Sequence, residues 1–191
     1  MDKKHRIYQY LVNHSGKEIR QAHIKDVCNC TKMYTSKTLK QLINKGIVIK
    51  ERRNTIRVIN PYLLCSIIAF ERKLPKPILF RAPIYKDMMH ILNKTTHSIT
   101  NTSALEILNN QKPDIIHTHV LTKDVDFLLD NFNTTKRSAN LIIYPAFPPQ
   151  FNNQQITKGH YLCTDYDIYI DLLQSGRTKE ALEFAKENKL F

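Results

Sequence analysis

TKMYTSKTLKQLINKGIV, residues 31–48, contains a helix, both of its ends and the start of a strand. Thr31 stands in N-cap position, where its hydroxyl accepts from a free backbone N–H of the first turn. Leu39, Leu42 and Ile43 recur at helical spacing and form the buried face, with Met33 and Thr35 as earlier inward positions. Lys45-Gly46 closes the helix, because glycine takes the left-handed conformation that a C-cap favours. Ile47 to Lys50 then runs rich in β-branched residues, as a strand does.

Upstream, Ile7, Tyr8, Leu11 and Val12 predict an amphipathic helix over residues 4–14, stopped by Ser15-Gly16. Ile19, Ala22, Ile24 and Val27 predict a short second helix, and Cys28-Asn29-Cys30 a turn. Downstream, Thr55 to Ile59 is a second strand, ended by Asn60-Pro61. Glu51-Arg52-Arg53-Asn54 between the strands is a polar turn in which Asn54 can take positive φ. Three helices followed by a basic hairpin is the order of a winged helix-turn-helix. Residues 31–48 resemble the recognition-helix-to-wing stretch of many bacterial and archaeal regulators.

The charge points the same way. Residues 1–60 hold 14 Lys and Arg against 4 Asp and Glu, a net of +10, while all 191 residues carry +12. A confined basic field on a fold that offers a helix to a groove predicts binding to double-stranded DNA. In that geometry the N-terminal outward part of the third helix, Thr31, Lys32, Tyr34, Ser36 and Lys37, meets base edges. Arg52 and Arg53 at the hairpin tip reach phosphate or the minor groove. Lys40 and Arg57 meet phosphate, which positions without specifying sequence. One such helix reads few base pairs, so two copies on an inverted repeat, a homodimer on DNA, are expected.

The expected organisation is a winged helix-turn-helix over residues 1–60, a connecting helix and linker over 61–77, and an α+β domain over 78–191. Tyr62 to Phe70 is the connecting helix, and Pro75 and Pro77 mark the boundary. The longest apolar stretch is half of what a bilayer demands, and no secretory signal follows Met1. Four cysteines, at 28, 30, 65 and 163, suit a reducing compartment. The expectation is a soluble, cytoplasmic protein without a membrane partner.

Beyond residue 77, strands are expected at 78–80, 115–121 and 141–144, the last ended by Pro145. Helices are expected at 85–92, 104–108, 125–132, 168–173 and 178–188, with an irregular loop at 147–153. Ser103 and Glu106 have capping-box spacing, and Phe127, Leu128 and Leu129 are expected to face inward. The order is α+β rather than a regular βαβ winding.

Three stretches carry a family resemblance: Thr102 to Leu108, Ala139 to Pro145 with Phe147 and Phe151, and Tyr169 to Phe184 with Ser175-Gly176-Arg177. In this order they resemble the AbiEi family, transcriptional regulators and antitoxins of type IV toxin–antitoxin systems. The resemblance implies an N-terminal winged helix, an α+β C-terminal domain and autoregulatory DNA binding. In complete systems it also implies neutralisation of a nucleotidyltransferase-like toxin.

The alternative is a nucleotidyltransferase- or nuclease-like enzyme, for which Asp165, Asp167 and Asp171 are the carboxylate cluster. The Gly-Ser phosphate-gripping turn such enzymes carry is missing. Asp165 also suits a helix entry, and Asp171 with Arg177 suits a structural ion pair. Cys28-x-Cys30 is too tight for a zinc knuckle, and His117-x-His119 has no third ligand nearby in sequence. No catalytic residue, cofactor or metal is therefore expected. The acidic closing segment, with Tyr166, Tyr169 and Phe184, is expected to face a basic protein partner, the alternative being that its tyrosines are core and its acids a solvated face.

Overall fold

The computed structural model describes residues 2–52, 54–73, 75–151 and 153–191, without the Pro149 side chain. The chain is mixed α+β and divides into two compact units. One comprises residues 1–72 with 165–191, and the other residues 73–164. This differs from the expected split, because the closing helices fold with the N-terminal segment and not with residues 78–164. Among the described residues no helix is long and apolar enough to cross a membrane.

The first unit opens with α1 (Lys3–Val12), capped by the Asp2 carboxylate accepting from the His5 N–H at 2.9 Å. Next come β1 (Ile19–Arg20), α2 (Gln21–Val27) and α3 (Lys32–Asn44). A hairpin of β2 (Val48–Lys50) and β3 (Thr55–Val58) follows, then α4 (Pro61–Glu71). The expected second helix therefore begins later, and Ile19 lies in a two-residue strand. That strand pairs antiparallel with β3, giving a small sheet in the order β1-β3-β2. Ile7, Leu11, Ile24, Leu39, Leu42, Ile47 and Ile56 close over one another and are fully buried. Gly46 (φ 68°) and Asn54 (φ 66°) take the left-handed conformations expected of them.

The second unit holds β4 (Ile78–Arg81), α5 (Tyr85–Leu92), β5 (His97–Ile99), α6 (Asn101–Leu108), β6 (Ile116–Leu121) and α7 (Val125–Asn131). It continues with β7 (Asn133–Thr134), β8 (Leu141–Ala146), β9 (Gln155–Thr157) and β10 (His160–Leu162). They form a mixed sheet in the order β7-β4-β8-β6-β5-β10-β9. β6 and β8 run parallel at its centre, from Ile116 opposite Leu141 to Leu121 opposite Ala146. Pro145 does not end its strand. β4 pairs with β8 only as far as Ile143, so Pro145 lies where one strand edge is open and a missing N–H is tolerated.

Two local expectations in this unit are corrected. Helix α6 starts earlier than expected, so Ser103 is an interior residue and not a cap. Its Oγ donates to the Ile115 carbonyl at 2.6 Å and accepts from the His117 N–H at 2.8 Å, which ties α6 to β6. On α7 only Leu128 of the three expected inward residues is buried, while Phe127 and Leu129 are exposed.

The chain then returns to the first unit with α8 (Asp165–Gln174) and α9 (Thr178–Glu187). Helix α8 lies along α4, and α9 along α8. Arg72, at the C-cap of α4, is buried. Its guanidinium pairs with Asp171 and donates through Nε to Gln174 Oε1 at 2.9 Å, while Gln174 Nε2 donates to the Arg72 carbonyl at 2.9 Å. Asp171 thus pairs with Arg72, and Arg177 instead holds Glu180 at 3.1 Å. A buried guanidinium needs a buried carboxylate, whereas Arg177 is half exposed and finds the next turn of its own helix.

Candidate nucleic-acid interface

Helix α3 positions most of the predicted site residues. Thr31 Oγ1 accepts from the Tyr34 N–H at 3.2 Å and so fixes where the helix begins. Thr35, Thr38, Leu39 and Leu42 are buried, an i, i+3, i+4, i+7 stripe that seats the helix on its unit. At 100° per residue, Lys32, Ser36 and Lys40 then form one outward row and Met33 and Lys37 the next. All five are exposed. Tyr34 is half-buried on the flank of this face.

Met33 corrects the sequence reading. It was expected to face inward, yet it is 81% exposed and lies among the lysines. Its position two residues before Thr35 turns it about 200° away from the buried stripe. Ile43, at the edge of that stripe, is 37% exposed for the same kind of reason.

Arg52 is exposed in the hairpin turn, and Arg53 lies outside the described residues. Arg57 projects from β3 and is held by Glu51, with Nη2 to Oε1 at 2.5 Å. Sequence reasoning missed a groove of about 340 Å³ beside Lys32, lined by Gln21, Ala22, Lys25, Thr35 and Asn54. The Gln21 N–H donates to the Asn54 carbonyl at 3.0 Å, which draws the hairpin turn to the start of α2. The signal for Lys25 was its place on a helix next to an already basic one.

This face has a simple electrostatic character. Helix α3 contains no Asp or Glu, and Lys32, Lys37 and Lys40 enter no ion pair among the described residues. It offers ammonium donors, a hydroxyl and a thioether to whatever lies opposite, which suits an anionic, grooved surface.

The other candidate clusters have structural partners. Cys28 is buried, and its thiol donates to the Arg6 carbonyl at 3.4 Å. Burial pushes that thiol up to about 12 and moves Cys30 in the same direction, so neither is a ready thiolate. His117 stacks on Tyr144 with ring centroids 6.3 Å apart, and His119 leans on the same ring at 5.7 Å. Asp167 accepts from Asn13 Nδ2 at 3.1 Å.

The acidic, aromatic surface expected on the closing helices is also corrected. Asp167, Asp171, Tyr169 and Phe184 are all buried. Tyr62, Tyr166 and Tyr169 gather around the Phe191 ring, and burial pushes the Tyr169 phenol up to about 12. These side chains pack inside the first unit, Asp171 on Arg72 and Asp167 on Asn13, while Glu183 and Glu187 of the closing helices stay exposed. The chain as a whole matches no known protein family, no curated protein and no solved structure.

Proposed function

We propose that residues 1–60 act as a winged helix-turn-helix that binds double-stranded DNA, with α3 in the major groove and the β2–β3 hairpin as the wing. The observation that carries the reading is the outward face of α3, where Lys32, Lys37 and Lys40 stand exposed with no acid on the helix. Ser36 and Met33 lie between them and meet base edges, the thioether suiting the methyl group of thymine. Lys25 and Arg52 reach the flanking phosphates. The protein is then a sequence-specific, non-catalytic transcriptional regulator.

The AbiEi-type part of the proposal, autoregulation and neutralisation of a nucleotidyltransferase-like toxin, rests on the three resembling stretches alone. The check on it is the neighbouring reading frame, which is expected to encode such a toxin.

The test is selection from a random duplex library with the full-length protein, followed by binding measurements on the enriched sequence. Changing Lys32, Lys37 and Lys40 together to Gln is expected to weaken binding at least 100-fold, at about 1 kcal/mol or more per phosphate or base contact. Ser36→Ala and Met33→Ala should flatten the base preference more than the affinity. A library that enriches nothing, or a triple variant that binds like the parent, rejects the proposal.

A further inference from the structure

Within the second unit, α5, the end of α6 with the residues after it, and the β9–β10 hairpin meet at a groove of about 250 Å³. Its polar lining is Tyr85, Asn110, Gln111, Lys112, Lys158 and His160. These supply two ammonium groups, two primary amides, a phenol and an imidazole. Among the described residues no acid lines it, although Asp87, Glu106 and Asp114 are near in sequence. We propose that this groove is an anion site that takes the phosphate group of inorganic phosphate or of a small phosphomonoester.

The two ammonium groups are placed by uncharged partners. Lys158 Nζ donates to the Ile107 carbonyl at 2.9 Å, at the end of α6. Lys112 Nζ stands 4.9 Å from the centre of the Tyr85 ring. Tyr85 is itself placed, with Oη 3.4 Å from His160 Nε2 and the two rings edge to face. Among the described residues neither lysine enters an ion pair. Two like charges therefore share one small groove without an opposite charge to offset them. A bound dianion offsets both and takes charge-assisted hydrogen bonds from each. Lys158 also stands between such an anion and the negative end of α6.

The turn that carries Lys158 points the same way. Lys158 and Gly159 form a two-residue turn between the paired Thr157 and His160, with φ of 53° and 78°. Positive φ at both positions favours Asn-Gly, and most other side chains at the first position are strained. Stability alone selects Asn there, yet the chain carries a lysine. Its contacts with the Ile107 and Leu108 carbonyls leave at least one N–H donor for a ligand. Size and charge set the ligand class. Drug-sized ligands fill about 300–1,000 Å³, so this groove takes something smaller. Two ammonium groups match the nearly two charges of a phosphomonoester, whereas a carboxylate or a DNA phosphodiester carries one. The site stands independently of the DNA reading, which concerns residues 1–60.

The test is calorimetric titration of the full chain with inorganic phosphate at about pH 8 and about 0.15 M sodium chloride, with thermal melting alongside. The parent should bind with a dissociation constant of about 1 mM or below. Lys112→Gln should weaken binding at least about tenfold. Lys158→Asn should do the same while melting at least as high as the parent, because the turn favours Asn. Lys94→Gln, at an exposed lysine of the same unit outside the groove, should change nothing. Glycerol 3-phosphate separates the two sources. Tighter binding than inorganic phosphate assigns the site to a phosphomonoester, and equal or weaker binding assigns it to free phosphate. A parent that binds no phosphate overturns the proposal, as does a Lys112→Gln chain that binds like the parent. Acetate bound as tightly as phosphate also overturns it. The variant with Lys32, Lys37 and Lys40 changed to Gln should keep its phosphate binding. Loss of binding there places the phosphate on the α3 face and rejects the groove.

Discussion

His97 shows what a single residue can hide from a sequence. Nothing in Thr96-His97-Ser98 announces a buried imidazole, yet His97 is 3% exposed, with its ring edge against Tyr161 at 5.7 Å. Burial pushes the His97 imidazole below its ordinary value, against the opposing pull of the Thr95 and Leu92 carbonyls. Burial moves His160, on β10, in the same direction. A depressed value means that the folded state binds the proton less well than the unfolded chain. The stabilisation is therefore complete above the unfolded value near 6.5 and is lost as pH falls through the lower folded value. Urea melts of the full chain between about pH 7.5 and pH 5 should show stability declining below about pH 6.5, and His97→Gln should make the decline shallower. Equal slopes for parent and variant contradict this role. Met33 is the converse case. A methionine near a helix start reads as core, and only the phase of the buried stripe, set by Thr35 and Leu39, turns it outward.

At the scale of elements, legibility followed length and local chemistry. Helices α3, α4 and α5 announce themselves through caps, prolines or period, and their sequence bounds agree with the fold to within a residue or two. The strands β1, β5, β7, β9 and β10 have two or three residues each, too few to establish an alternation. Their existence depends on partners far away in sequence, as Leu162 opposite Ile99 shows. Gly46 is a case where local chemistry sufficed. A Cβ there meets nothing within 4 Å, so space is not the constraint, but φ is +68°. Gly46→Ala should therefore cost about 1 kcal/mol of unfolding free energy through backbone strain alone. An alanine variant as stable as the parent in denaturant titration contradicts that account.

On the scale of the whole molecule, the excess of charge over residues 1–60 is read from the sequence directly, whereas the closing helices fold with a different neighbour than expected. Charge is a sum and needs no knowledge of packing. The assignment of α8 and α9 depends on Arg72 finding Asp171 and on Tyr62 finding Phe191, pairings that residue spacing does not encode. The acids that seemed available to a partner are for that reason partly internal.

The central claim is that the α3 face meets phosphate-bearing DNA, and salt dependence tests it most directly without knowledge of the operator. The full-length protein is titrated onto a duplex of arbitrary sequence at several salt concentrations. If ~5 phosphates are neutralised, log K falls with log salt at a slope of about −4 to −5, and the variant with Lys32, Lys37 and Lys40 changed to Gln is shallower by about 2 to 3. A flat salt response, or a variant with the parent's slope, would contradict the claim.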